Sequence, residues 1–129
     1  MKLLILILLF NTKLVEMIKK STIPCKDFFI AQSCLESGWH KSKLAIKFNN
    51  YSGFRRKKKG KYQLLRFKSL EEYVMYSSNF FKRKNISNKK EYINYILKGK
   101  YVNIEKNKIY NYLHKVKWIE KKIKKDYVK

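Results

Sequence analysis

The sequence predicts a mostly α domain with one small β-hairpin, and three observations support this fold class. One proline and four glycines occur among 129 residues, whereas an all-β fold needs more residues suited to turns. Apolar side chains recur at helical spacing along most of the chain. In contrast, residues 54–68 place aromatic and apolar side chains on both sides of a basic run, which is typical of a hairpin.

The N-terminal segment allows two interpretations. Lys2 and the apolar run at 3–10 resemble an export signal, but no small-x-small cleavage site follows before Pro24. The run is also shorter than the roughly 20 residues that span a bilayer. We favour a first helix, with residues 1–9 as its extension, because apolar side chains repeat at helical spacing. They are Phe10, Leu14, Met17 and Ile18.

A break at Pro24 precedes a second helix from about Cys25 to Ser37, which ends at Gly38, a residue type suited to helix C-termini. A short third helix is expected over residues 41–48. The hairpin then runs from Phe54 to Phe67 with a basic tip, and a disordered basic loop is the alternative.

The second half of the chain is predicted to be helical. Ser69 and Glu72 form a capping box, which starts a helix that ends by residues 85–88. A further helix covers about Lys89 to Lys98 and stops at Gly99. The last helix begins near Asn107 and has a continuous apolar face. That face contains Ile109, Tyr112, Leu113, Val116, Ile119 and Ile123. Without a repeat or a linker, residues 1–129 are expected to form one monomeric domain.

The net charge of +23, from 32 basic and 9 acidic residues, should attract the protein to polyanions. Nucleic acid, anionic membranes and acidic cell-wall polymers all qualify. The lysines are spread over nearly every element and no groove-reading motif is present, so we expect no specific nucleic-acid partner. A non-catalytic basic protein that binds wall or nucleic acid is nevertheless a rival hypothesis.

The cysteines and histidines predict neither a disulfide nor a metal site. Cys25 and Cys34 lie roughly 13 Å apart along one predicted helix, too far to bridge. His40 and His114 are the only histidines, and no cluster of ligands at metal-binding spacing accompanies them. We therefore expect free thiols and no metal or other cofactor.

Glu36 is the strongest candidate for chemistry. It lies in the last turn of an apolar helix, where the negative helix end and burial both raise the pKa of a carboxyl group. A raised pKa suits the general acid that glycoside cleavage needs to protonate the leaving oxygen. A lone glutamate at a helix end can equally be a solvated surface residue, so position alone leaves both interpretations open.

The residues around Glu36 resemble a known family. The segment from Ile23-Pro24 to Ala45, followed by Asn-Asn-Tyr-Ser-Gly-Phe at 49–54, is similar to the signature of the glucosaminidase family of peptidoglycan hydrolases. This group includes flagellar muramidases and autolysins and belongs to the lysozyme-like superfamily. Residues 66–72, 99–101 and 112–116 are similar to its later motifs, although the spacing from Tyr101 to Tyr112 is longer than usual.

The resemblance implies a lysozyme-like fold in which the hairpin forms one wall of a groove. It implies Glu36 as the catalytic acid and Tyr101 as an active-site tyrosine opposite it. The substrate would be the glycan strand of peptidoglycan, cut at a β-1,4 bond beside N-acetylglucosamine by an endo-β-N-acetylglucosaminidase. We expect Tyr51, Phe54 and Tyr62 to stack on sugar faces, with core filling as the alternative for each.

The sequence departs from the family at two points. His40 occupies a position that is commonly Gly, which we interpret as tolerated variation. More importantly, no Asp or Glu lies between Ser37 and Leu70, so an ordinary two-carboxylate mechanism is hard to build. The alternatives are nucleophilic attack by the substrate's N-acetyl group, a water positioned by Gln63 and Tyr101, or lost activity. We favour substrate assistance or a lytic-transglycosylase-like course.

The expected place of action is the cell wall. The free thiols and the N-terminus fit either an exported autolysin or a lysis protein of phage type released from the cytoplasm. The basic run from Arg55 to Lys61 can draw the protein to anionic wall polymers or to a membrane surface. A solvated loop tip is the alternative for that run.

Overall fold

The structure, a computed structural model, describes residues 11–98 and 106–126. Within these ranges the chain forms six helices and one antiparallel hairpin, which confirms the predicted fold class. The helices are α1 (Thr12–Lys20), α2 (Lys26–Glu36), α3 (Lys43–Phe48), α4 (Leu70–Arg83), α5 (Lys89–Leu97) and α6 (Lys106–Asp126), and the strands are β1 (Arg55–Lys58) and β2 (Lys61–Leu64). Predictions that involve Phe10, Gly99 and Tyr101 lie outside the described residues.

Helix α2 is the central element. Every residue from Phe28 to Cys34 is buried, because α1 and α6 both pack against this helix. Helix α5 packs on α6, and α1 also contacts α4. Burial on several sides explains why the apolar surface of α2 is broad rather than a stripe. The helix therefore holds its last residue, Glu36, in a fixed place relative to α6.

Tyr73 of α4 organises the packing beneath the hairpin. Its ring is fully buried, and four aromatic ring centroids lie 5.7 to 6.4 Å from its own. They belong to Phe29, Tyr51, Phe54 and Phe67. The Tyr73 hydroxyl also hydrogen-bonds the Ser52 hydroxyl at 2.5 Å. Aromatic pairs of this kind favour one packing geometry, so the base of the hairpin is fixed to α2 and α4.

The hairpin itself is short and exposed. Lys59 and Gly60 join the strands with φ values of 52° and 78°, as two-residue hairpin turns require. At the other end, the Asn50 side-chain amide donates to the carbonyls of Phe54 and Leu65 at 3.0 and 2.9 Å. This one side chain joins the two strands at the open end of the hairpin. The predicted hairpin is thus confirmed over the alternative of a disordered loop.

Of the two hydrogen bonds in the capping box predicted at the start of α4, one is confirmed and the other is corrected. The Ser69 hydroxyl accepts the Glu72 backbone N–H at 3.1 Å, as predicted. The Glu72 carboxylate, however, accepts the N–H of Lys68 at 3.1 Å rather than that of Ser69. The extended backbone at Ser69 brings the preceding N–H within reach of the carboxylate.

Two further observations bear on the predictions. Cys25 and Cys34 are both free thiols. Of the helices within residues 11–98 and 106–126, none is long and apolar enough to cross a membrane.

Candidate active site

A left-handed turn follows α2 and fixes the end of the helix. Gly38, Trp39 and His40 have φ values of 56°, 59° and 64°, a conformation that non-glycine residues rarely adopt. At His40, the position that is commonly Gly in the resembling family, hydrogen bonds support this conformation. Its Nδ1 atom accepts the backbone N–H of Asn11 at 3.0 Å, and its Nε2 atom lies 2.9 Å from the Ser33 hydroxyl.

The carboxyl group of Glu36 lies where α2, α6 and the segment before the hairpin meet. The Tyr112 hydroxyl of α6 donates to Oε1 at 2.6 Å. A Cβ placed on Gly53 would lie 3.7 Å from Oε2, so this backbone passes close to the second oxygen. The residue remains accessible to solvent. The site therefore offers a carboxyl group held on one side and open to a ligand.

Three effects act on the pKa of Glu36. Desolvation of the carboxyl group by its neighbours raises the pKa, and this is the largest effect. The hydrogen bond from Tyr112 and the charge of Arg55 on β1 lower it in part. The upward shift of the Glu36 pKa that the sequence predicts is present, and desolvation by burial is its cause.

Glu36 is also connected to the protein interior. Gln32, one turn earlier on α2, donates from Nε2 to the Tyr112 hydroxyl oxygen at 2.9 Å. The Tyr92 hydroxyl of α5 donates to Oε1 of the same amide. A continuous row of hydrogen bonds thus joins α5, α2 and α6 and ends on the carboxyl group.

Comparison with known proteins identifies the family of the chain. The family model named Glucosaminidase, described as mannosyl-glycoprotein endo-beta-N-acetylglucosaminidase, matches residues 12–125. The chain belongs to the glucosaminidase family. It is thereby placed among glycoside hydrolases. No curated protein and no solved structure matches the chain.

The three aromatic residues that we expected to stack on sugars divide into two groups. The rings of Tyr51 and Phe54 are only 2% and 7% exposed and pack in the cluster around Tyr73. They offer no open face to a sugar, so core filling, the alternative interpretation, describes both positions and corrects the stacking prediction. Tyr62 is 66% exposed on β2 and can still stack. Tyr101 lies outside the described residues.

The register of the hairpin separates Tyr62 from Gln63. Arg55 is paired with Leu64, and Lys57 with Tyr62, so Tyr62 projects from the same face of the ribbon as Arg55. Gln63 is exposed on the other face, opposite Arg56. The ribbon face that carries Tyr62 is therefore also the face of Arg55, the cation whose charge acts on Glu36.

Sequence reasoning missed Gln32, Tyr112 and Arg55 as site residues. The sequence places Tyr112 on an apolar helix face and Arg55 in the basic run of the predicted hairpin. For Gln32 a signal existed, because a polar residue four positions before Glu36 lies on the same side of the helix and is unusual in so apolar a segment. Among the described residues, no group of three or more His, Cys, Asp or Glu could hold a metal ion.

Proposed function

We propose that this glucosaminidase-family protein cleaves the glycan strand of peptidoglycan as an endo-β-N-acetylglucosaminidase, with Glu36 as the general acid. One observation carries the proposal. The Glu36 carboxyl group is accessible, has a raised pKa and is held on one oxygen by Tyr112, in a chain whose residues 12–125 match the family.

The chemistry asked of Glu36 fits its neighbours. A protonated carboxyl donates its proton to the glycosidic oxygen as the bond to the anomeric carbon breaks. The carboxylate that remains is stabilised by the Tyr112 hydrogen bond and by the Arg55 charge. Desolvation favours the protonated acid before the reaction, and Tyr112 and Arg55 stabilise the carboxylate afterwards.

The hairpin wall supports a mechanism without a second carboxylate. Residues 38–69 contain no Asp or Glu, and the hairpin residue whose charge acts on Glu36 is the cation Arg55. A cation there cannot stabilise an oxocarbenium-like centre. We therefore assign the nucleophile to the N-acetyl oxygen of the substrate, which attacks the anomeric carbon as the glycosidic bond breaks. Attack by a sugar hydroxyl, as in lytic transglycosylases, would produce a 1,6-anhydro end instead.

Zymography on peptidoglycan tests the proposal. Native protein should clear the substrate, Glu36→Gln should not, and the matched control Glu16→Gln, which removes an exposed carboxylate of α1, should clear it like the native protein. Clearing by Glu36→Gln would contradict the assignment of the acid. Failure of the native protein would contradict the enzyme claim and favour a non-catalytic wall-binding protein.

Product analysis tests the course of the reaction. Reducing ends at N-acetylglucosamine, found by mass spectrometry of the digest, are expected for hydrolysis with substrate assistance. A 1,6-anhydro sugar would instead establish the transglycosylase course. We propose further that the chain acts on the wall as a monomeric single domain, with anionic wall polymers as a second partner of the basic hairpin.

A further inference from the structure

The row of hydrogen bonds that ends on Glu36 has a direction. Tyr92 donates to Gln32 Oε1, Gln32 donates to the Tyr112 oxygen at 2.9 Å, and Tyr112 donates to Glu36 Oε1 at 2.6 Å. Gln32 and Tyr92 are each only 1% exposed. Since buried polar groups keep their partners, the inner part of this row is fixed in the core, and only its last hydrogen bond, from Tyr112 to Glu36, reaches the exposed surface.

The direction depends on which end of the Gln32 amide faces Tyr112. With Tyr92 donating to its oxygen, the amide presents its nitrogen, which can only donate. The Tyr112 oxygen must therefore accept this hydrogen bond, and its own hydrogen points to Glu36. With the amide reversed, Tyr112 would donate to Gln32 instead, and Oε1 of Glu36 would lose its donor.

We propose that Gln32 and Tyr92 are positioning residues that fix the Tyr112 hydroxyl as a donor to Oε1 of Glu36, so that the acidic proton resides on Oε2. This rests on the proposed role of Glu36 as the general acid. The carbonyl oxygen of a protonated carboxyl group accepts hydrogen bonds better than its hydroxyl oxygen does, so a donor fixed at Oε1 favours Oε1 as the carbonyl oxygen and Oε2 as the protonated one. Oε2 lies beside the backbone of Gly53, and it is the oxygen from which the proton passes to the leaving group.

The inference predicts a graded change in the acidity of Glu36. A donor at Oε1 favours the ionised carboxylate, so weakening it raises the pKa. Tyr112→Phe removes the donor, and an upward shift of about one pH unit is expected. Gln32→Leu removes the hydrogen bond that orients the Tyr112 hydroxyl, so it should raise the pKa of Glu36 by a smaller amount. Tyr92→Phe should raise it by less again. The cation that acts on Glu36 from the hairpin, Arg55, is unchanged in all three variants.

The test is a carbon-13 NMR titration of the Glu36 carboxyl group in each variant, with thermal unfolding to verify the fold. The decisive sample is the double variant Gln32→Leu with Tyr112→Phe, which should titrate like Tyr112→Phe alone, because Gln32 acts through Tyr112. Tyr76→Phe removes a partly buried hydroxyl of α4 outside the row and should cause no shift. Tyr92→Phe keeps the test decisive if Gln32→Leu does not fold.

Two results would overturn the inference. One is that Gln32→Leu shifts the pKa of Glu36 by the same amount in the native protein and in Tyr112→Phe. The other is that the pKa of Glu36 in Tyr92→Phe and in Gln32→Leu equals its pKa in the control Tyr76→Phe. A parallel pH profile of peptidoglycan clearing separates the two proposals. Its alkaline limb should follow the titrated pKa of Glu36 in every variant. If the pKa shifts but the limb does not, or the native protein never clears, the proposed function fails while the positioning role stands.

Discussion

Nδ1 of His40 accepts a hydrogen bond from the backbone N–H of Asn11 at 3.0 Å, which links the turn after Glu36 to the residue that caps α1. The other ring nitrogen lies 2.9 Å from the Ser33 hydroxyl, which itself donates to the Ile30 carbonyl at 2.7 Å. Because Nδ1 accepts, the neutral ring carries its proton on Nε2 and donates it to Ser33. Protonation of Nδ1 would break the link to Asn11.

This arrangement predicts that stability falls in mild acid. Burial, with a smaller effect from the Lys41 charge, lowers the pKa of His40 from an ordinary 6.5 to about 4. The unfolded chain therefore takes up this proton first, so stability is complete above pH 6.5 and is lost as pH falls toward 4. The loss should approach about 3 kcal/mol. Urea unfolding at pH 7 and pH 4.5 measures it.

Two variants check the role of His40 in this pH dependence. His40→Asn removes the titrating ring but suits the left-handed backbone, so its free energy of unfolding should change less between the two pH values. His114→Asn removes an exposed histidine and should keep the native dependence. An equal pH dependence in His40→Asn and the native protein would exclude His40 as the cause.

Gly53→Ala should impair the site through the contact with Glu36. Gly53 has a φ of 70°, so any side chain is strained there, and the new methyl group would lie 3.7 Å from Oε2. This is ordinary van der Waals contact, so we expect clearing of peptidoglycan to fall several-fold because the methyl group covers the approach to Oε2 rather than because it displaces the carboxyl group. The matched control is Gly60→Ala. Gly60 has a similar φ of 78°, but no atom lies within 4 Å of a Cβ placed there. Equal activities of the two folded variants would argue against the contact.

Ser69→Ala should destabilise the start of α4. The Ser69 hydroxyl accepts the N–H of Glu72, and loss of such a cap costs about 1 kcal/mol. Ser78→Ala in the same helix removes a hydroxyl that only bonds back to the Val74 carbonyl, so it should change the unfolding free energy little. Chemical denaturation of both variants measures the difference, and similar losses would show that the cap is not the cause.

The two thiols should differ in reactivity. Cys34 is fully buried, and desolvation raises its pKa strongly, whereas Cys25 is half-buried and its pKa is raised mainly by desolvation. Because the thiolate is the reactive form, iodoacetamide should label Cys25 slowly and Cys34 only after unfolding. Mass spectrometry of labelled peptides identifies the site. Labelling of Cys34 at the same rate in folded protein would contradict the burial.

The lysines of the basic hairpin should contribute more to the binding of anionic wall polymers than the lysines on the exposed face of α6. Replacing Lys57, Lys58 and Lys61 by Gln removes three exposed charges of the ribbon. Replacing Lys115, Lys117 and Lys121 removes three from the exposed face of α6 and gives the same net charge. Binding to purified walls, with and without their anionic polymers, should weaken more in the hairpin variant and decrease with salt. Equal weakening would indicate a non-specific effect of net charge.

Local patterns in the sequence determined most of the secondary structure. The apolar spacing predicted α2 and α6, the Ser69 to Glu72 pair predicted the start of α4, and the interrupted basic segment predicted the hairpin. These features depend on neighbours within a few residues, so they can be read from the chain. The motif around Glu36 likewise predicted the family that residues 12–125 match.

The tertiary structure decided what surrounds Glu36. Tyr112 lies 76 residues away in the chain, and no local pattern could indicate that its hydroxyl, rather than only its ring, faces inward. The same holds for Tyr51 and Phe54, whose spacing cannot distinguish an exposed ring from one packed on Tyr73. Periodicity shows which side of an element is buried, but contacts between distant segments depend on how the helices pack. The sequence therefore identified Glu36 as a candidate acid, and only the packing of α6 against α2 and the course of the segment before the hairpin determined which groups surround its carboxyl.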